Sequence, residues 1–383
     1  MKSYNHLYEE LISKDNILLG IANSSEGKRD RPEVFKIFVF QNEYVPHFQE
    51  LIEDFPIYKH TSVQIYDGIV RKVRHIIVPS YEEQVVHHSL VNVLKPIIYN
   101  SLYLYSCGSI PNRGAHFAKE YLEKKIKYDK YNTKYCLKMD IRKFFDSIRH
   151  DILKKKIEEK IHDKKFLTVL YRVIDVTEEG LPLGFYTSQW LANWFLSDLD
   201  HYIKETLKVK YYVRYMDDMT IFDHDKNFLH IIKNKIQDFL HIIGLELKSN
   251  WQIFRFDYTD KEGNHYGRFL DFMGFRFYSD KVILRKSILI KACKKARKMG
   301  KKDKVTVFDC KQILSYLGWI DCTNTYNMYL KYIKPYVNFK YCKQRVSKFD
   351  RRLNKWRKRK YEDRIRQLFI DFGADDFGRY LIA

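Results

Sequence analysis

Two aspartates raise the first chemical hypothesis. Asp140 ends an apolar-rich stretch, Tyr135–Met139. Asp217 sits in a four-residue break, Tyr215-Met216-Asp217-Asp218, between the runs Tyr211–Arg214 and Met219–Phe222. Short apolar runs bounded this way predict strands, and the break predicts a tight turn. A carboxylate at the end of one strand and another in an adjacent hairpin turn can hold two divalent cations. Two such ions, about 3.5–4 Å apart, neutralise the attacking and leaving oxygens when a phosphoryl group leaves a nucleoside triphosphate. Mg²⁺ suits carboxylate, phosphate and water oxygens, and Mn²⁺ can substitute for it. Asp-Asp is also good turn chemistry with no catalytic meaning, so the pair needs context.

That context is an ordered set of elements. Met1–Leu19 is predicted to be helical, Val63–Val70 and Arg71–Val78 to be strands around Asp67-Gly68, and Glu82–Tyr99 to be a helix with apolar residues at Val85, Val86, Leu90, Val93, Leu94 and Ile97. Helices follow at Asp151–Lys160, Phe166–Asp175 and Ser188–Lys204. Phe228–Ile243 is a further helix, stopping at Gly244. Phe269–Tyr278 and Lys281–Arg285 read as a hairpin, and Lys286–Arg366 as basic helices. The order strand, three helices, strand-turn-strand, helix, strand predicts an α+β unit carrying its carboxylates on a sheet.

Composition narrows the partners. The 383 residues carry a formal charge of +21. Residues 281–360 hold 25 Lys or Arg against 4 Asp or Glu, which leaves 44 of each sign elsewhere. A basic segment of mixed aromatic character is an electrostatic footprint for nucleic acid; a merely solvated basic surface or an acidic-lipid patch is the plainer alternative. The cysteines, at 107, 136, 293, 310, 322 and 342, form no C-x-x-C pair. They read as reduced thiols, not as a zinc site or disulfide framework. No apolar run reaches eighteen residues and the N-terminus lacks a signal-peptide core, so the expectation is a soluble cytoplasmic protein without a membrane partner.

Tyr215-Met216-Asp217-Asp218 resembles the Y-x-D-D box of reverse transcriptases, and other motifs come in that family's order. Asp140-Ile141-Arg142-Lys143-Phe144-Phe145 resembles the first catalytic box. Leu181-Pro182-Leu183-Gly184-Phe185-Tyr186-Thr187-Ser188-Gln189 resembles the turn and helix that contact template and nucleotide. Phe272-Met273-Gly274-Phe275 resembles the primer grip. Ser106-Cys107-Gly108 and Pro111-Asn112-Arg113-Gly114-Ala115-His116 resemble the fingers motif. The resemblance implies a right-hand polymerase: fingers in 1–134, an antiparallel palm sheet with helices in 135–280, and a basic helical thumb with an extension in 281–383.

It also implies roles. Asp140, Asp217 and the Ile141 carbonyl would bind two Mg²⁺ ions, with Asp218 supporting near the primer terminus. Arg71, Lys72 and Arg74 would hold the triphosphate, and Phe145 would close on the sugar 2′ position unless Phe144 does. Leu183, Gly184 and Gln189 would line the nucleotide pocket, and Arg113 and Lys248 are weaker candidates there. Phe272, Met273 and Gly274 would grip the primer. Arg351, Arg352, Lys355, Arg357 and Lys358 would touch the nucleic-acid backbone.

Finer features resemble the reverse transcriptases of bacterial diversity-generating retroelements: Gly27-Lys28-Arg29 before Pro32-Glu33-Val34, the stretch Tyr81–Leu90, and Gly184 through Gln189 in a G-x-x-x-S-Q pattern. Leu183 stands where most relatives carry Gln, Gln189 where they carry Pro, Phe185 where Asn is expected, and Ile110 where a basic residue is expected. The implied partners are dNTPs, a primer or cDNA, and a structured template or non-coding RNA, with an accessory protein or second reverse transcriptase as a further partner. Antiphage-defence enzymes share much of this core and form the alternative reading. A catalytically idle RNA-binding scaffold and protein-primed synthesis are two others.

Overall fold

The computed structural model describes residues 3–58, 60–67 and 72–372. The chain divides into two compact units, Met1–Ala118 with Tyr131–Arg255, and Lys119–Lys130 with Phe256–Ala383.

The first unit contains β1 (Ser62–Asp67), β2 (Lys72–Ile77), β3 (Ser106–Cys107), β4 (Tyr135–Asp140), β5 (Tyr211–Tyr215), β6 (Asp218–Asp223) and β7 (Gln252–Arg255). β1 and β2 pair antiparallel in a separate ribbon, from Asp67 opposite Lys72 to Ser62 opposite Ile77. The other five form one sheet in the order β3-β5-β6-β4-β7. β5 and β6 are buried almost throughout, as their near-continuous apolar runs require of strands covered on both faces. Helix Lys226–Ile242 packs on β4 and β6 through Leu229, Ile232, Ile236 and Leu240. Helix Tyr81–Ser101 starts in a Ser80–Glu83 capping box and packs against helices Lys14–Ser25 and Tyr186–Phe195.

The second unit holds β8 (Tyr258–Thr259), β9 (His265–Tyr266), β10 (Leu270–Phe272), β11 (Phe275–Phe277) and β12 (Val282–Leu284), the last three forming an antiparallel sheet. Helices Lys286–Gly300, Val307–Asp321, Tyr326–Tyr332 and Phe339–Phe372 follow. Phe275 packs against Trp319, with ring centroids 5.1 Å apart. Thr306 and Asp309 form a capping box, and Lys295 and Lys302 hold the Asp309 carboxyl well below the usual carboxylate range.

Three expected elements come out differently. The helix expected over Met1–Leu19 is broken, because Ser13 leaves helical geometry to cap Lys14–Ser25, its hydroxyl accepting from the Asn16 amide. The helix expected over Ser188–Lys204 begins at Tyr186, is interrupted after Phe195, and ends in a π-helical turn at Tyr202–Thr206. Phe269–Tyr278 is two strands rather than one, folded at Met273-Gly274, both with positive φ (51° and 87°), as a two-residue hairpin turn requires. The turn at Gly68 lies outside the described residues. No helix among the described residues is long and apolar enough to cross a membrane.

Candidate active site

Strand register brings the aspartates together. Asp140 ends β4 directly opposite Asp218 of β6, and Tyr215 of β5 pairs with the same Asp218, so Met216 and Asp217 are the two turn residues. Met216 takes φ 55°, which gives the hairpin the left-handed first turn residue that suits strand twist. The turn is tied down from both sides. Met216 N–H donates to the Cys107 carbonyl at 3.0 Å, and Ile141 N–H donates to the Asp217 carbonyl at 3.2 Å. The strand past Asp140 runs beside 246–248, with Arg142 N–H on the Glu246 carbonyl and Lys248 N–H on the Asp140 carbonyl, both at 2.8 Å. That contact carries the Lys248 ammonium onto Asp140 Oδ1 as an ion pair.

The electrostatics are those of crowded carboxylates. Burial raises the Asp217 pKa, and Asp140 raises it further against the pull of Lys248 and Arg74. Burial pushes Asp218 up to about 6, with Asp140 and Asp217 adding to the rise and Lys138 and Lys248 opposing it. A cation between such groups relieves both penalties. Among the described residues no three His, Cys, Asp or Glu side chains converge as a ready metal cage. Two carboxylates completed by substrate phosphates and water are what Mg²⁺ ordinarily takes, so the donor set fits ions that arrive with nucleotide.

A second group of residues forms a seam around the aspartates. Phe144 is buried and Phe145 only half-buried, so Phe145 is the ring that faces outward. The Phe145 carbonyl accepts from Leu181 N–H at 2.7 Å, and the Leu183 carbonyl accepts from Ile77 N–H at 2.8 Å. The loop after Asp140, the Leu181–Gly184 turn and the end of β2 are therefore bonded in series. Gly184 makes the last junction possible: its φ is 114°, and a Cβ there would lie 2.1 Å from the Ile77 carbonyl oxygen. Arg74, also on β2, is close enough to lower the Asp217 pKa. Gln189 is exposed on helix Tyr186–Phe195.

Arg113 is turned inward, its guanidinium 4.3 Å from the Tyr99 ring centroid and donating to the Tyr103 carbonyl at 3.2 Å. Arg71 lies outside the described residues, and the backbone alone is described for Lys72 and Arg357. Phe272 is buried, and Met273 and Gly274 form the β10–β11 turn, all in the second unit. Arg351, Arg352, Lys355 and Lys358 are exposed on helix Phe339–Phe372. Sequence reading passed over Asn193, Asp200 and Arg214, all buried beside the aspartate hairpin. Their signal was an arginine inside an otherwise apolar strand.

A family model described as reverse transcriptase (RNA-dependent DNA polymerase) matches residues 57–318. The chain is 26% identical over 145 residues to Protein YkfC of Escherichia coli (strain K12), covering 35% of this chain and 38% of that protein. It is 26% identical over 136 residues to the Retron Ec73 reverse transcriptase of Escherichia coli, covering 32% of this chain and 43% of that one. Each match thus spans less than half of the curated relative. Among solved structures, apo telomerase from Candida tropicalis aligns with a TM-score of 0.47 at 14% identity, over 66% of this chain and 51% of that one.

Proposed function

Because this chain belongs to the reverse transcriptase family of RNA-directed DNA polymerases, we propose that it copies a structured cognate RNA into cDNA with two Mg²⁺ ions, in the service of retroelement sequence diversification. The observation that carries the polymerase chemistry is the register that sets Asp140 against the Asp217-Asp218 hairpin. The G-x-x-x-S-Q pattern from Gly184 to Gln189 favours diversification.

In this reading Asp140 and Asp217, with the Ile141 carbonyl, hold the ions. The ions supply charge neutralisation at the reacting phosphate. Lys248 keeps the Asp140 carboxylate in place through their ion pair. Arg74 on β2, with Arg71 and Lys72, draws in the triphosphate, and the half-buried Phe145 ring excludes a 2′-hydroxyl. Leu183, Gly184 and Gln189 underlie the nascent base pair, and Phe272, Met273 and Gly274 steady the primer. We assign fingers to 1–134, palm to 135–280 and thumb to 281–383.

Asp217→Asn tests the core of this. It should abolish nucleotide addition on a primed RNA template while leaving RNA affinity nearly unchanged. Extension at the wild-type rate would remove Asp217 from the metal site.

A further inference from the structure

Beside the Met216-Asp217 turn lies a buried ion pair that the chemistry above does not use. Arg214 in β5 and Asp200 in helix Ser197–His201 are both 0% exposed. The Asp200 carboxylate is saturated. Its Oδ1 accepts from Arg214 Nε at 2.8 Å and from the Tyr212 hydroxyl at 2.6 Å. Its Oδ2 accepts from the Ser106 hydroxyl at 2.6 Å and from Arg214 Nη2 at 2.5 Å. So held, the guanidinium has one edge left. Nη1 donates to the Met216 carbonyl and to Asn193 Oδ1, each at 3.1 Å. The Asn193 amide nitrogen donates to the Gly108 carbonyl at 3.1 Å and the Gln189 carbonyl at 3.0 Å, and lies 3.2 Å from Met216 Sδ.

Two physical points single this network out. Met216 is a non-glycine residue at φ 55°, a conformation that persists where its surroundings over-determine it. Here the Cys107 carbonyl takes its N–H and Arg214 takes its C=O. A buried ion pair is also weak evidence of stability alone, because well-packed apolar residues often replace one without loss. The planar fork of arginine, in contrast, is specific: it meets Asp200, Asn193 and Met216 at once, which a lysine ammonium cannot do.

We propose that Arg214, fixed by Asp200, and Asn193 are positioning residues for catalysis. They lock Met216 in its left-handed conformation and so keep the Asp217 carboxylate in range of Asp140. Through Asn193 they also tie that turn to helix Tyr186–Phe195, which opens at the nucleotide-pocket turn. The metal-binding part of this rests on Asp217 being an ion ligand; the conformational part does not.

The test uses the full chain with two substitutions. Arg214→Lys keeps a charge opposite Asp200 but loses the fork. Asn193→Ala leaves the Arg214–Asp200 pair whole and removes its link to Gly108 and Gln189. Amide hydrogen exchange is measured without metal or nucleic acid, and Mn²⁺ affinity by electron paramagnetic resonance titration without turnover. Exchange at Met216 and Ile141 should quicken by about tenfold, the loss of roughly one hydrogen bond, while Leu137 and Met139 within β4 stay protected. Mn²⁺ affinity should weaken by about the same factor. If Arg214→Lys does not fold, Asn193→Ala decides by the same criteria. Wild-type exchange at 216 and 141, or a rise spread evenly over the whole sheet, overturns the proposal. Asp217→Asn is the reference: if it binds Mn²⁺ as the wild type does, the ion assignment falls and the exchange data still decide the positioning role.

Discussion

Replacing Gly184 with Ala should detach the end of β2 from the Leu183-Gly184 turn without unfolding the sheet. The added Cβ would lie 2.1 Å from the Ile77 carbonyl oxygen and 2.7 Å from Ile76 Cγ2. Backbone is the first obstacle, so no rotamer change relieves it. Gly184 also has φ 114°, where a side chain costs about 1–3 kcal/mol. Separation would break the Ile77 N–H to Leu183 carbonyl bond, so ~0.5–1.5 kcal/mol opposes it. The clash and the strained φ fall on the joined state and outweigh that bond, and each net ~1.4 kcal/mol lowers the joined population about tenfold. The β1–β2 ribbon has little to resist with, because a two-stranded ribbon is marginal by itself and Val63, Ile65 and Val73 are exposed. Since Arg74 rides on β2, the dNTP KM should rise at least tenfold, while Tm falls by only a few degrees (about 2–4 °C per kcal/mol in a unit of this size). The control is Gly27→Ala, where φ is 71° and nothing lies within 4 Å of the new Cβ. It carries the conformational penalty without the clash, and its KM should stay at the wild-type value. Equal KM values for the two variants in steady-state primer extension would refute the argument that Gly184 exists for the approach of Ile77.

Three further outcomes follow from the same geometry. Phe145→Ala should raise the ratio of rNTP to dNTP incorporation efficiency, because Phe145 is the outward ring of the pair; an unchanged ratio would place the gate elsewhere. Neutralising Arg351, Arg352, Lys355, Arg357 and Lys358 together should lower the slope of log affinity against log salt by up to about 4.5 on duplex DNA, and weaken all sequences alike. An unchanged slope would mean that these charges only solvate the helix. Leu183→Gln should reduce misincorporation by roughly 2- to 13-fold, the worth of one hydrogen bond formed only in the correct geometry, read from the cDNA error spectrum of both forms on one template. Identical spectra at equal extension rates would leave Leu183 as packing beneath the turn.

What the sequence disclosed and what it hid divide along a physical line. Asp140, Asp217 and the strands that carry them were legible because each signal is local: an apolar run, a turn, a carboxylate at its end. The β10–β11 fold was hidden because Phe269–Tyr278 reads as one apolar run, and its turn places Met273, not an Asn or Asp, at positive φ. Alternation alone could not choose between Phe144 and Phe145. The Ile77–Leu183 junction joins residues far apart in the chain, and of the Arg214–Asp200–Asn193 network only the arginine inside an apolar strand left a local mark. Arg113, a weaker candidate for touching substrate, is turned inward against Tyr99, an orientation its own window does not disclose.

Two of the four positions that depart from the expected pattern, Phe185 and Ile110, are set by packing. Phe185 is buried, its ring 5.2 Å from His60 and 4.5 Å from His87, both at steep angles. His60 is paired with Glu83 at 2.6 Å, and burial drives His87 down to about 3, so it packs there as a neutral ring. An asparagine at 185 would bring an amide into this aromatic setting and need partners for it. Ile110 is likewise buried, in a site where a basic residue would need a counter-charge. Both departures therefore act through packing. Phe185 directly follows the turn that carries Leu183 and Gly184, so a change at 185 would reach the proposed nucleotide pocket by shifting that turn rather than by touching substrate.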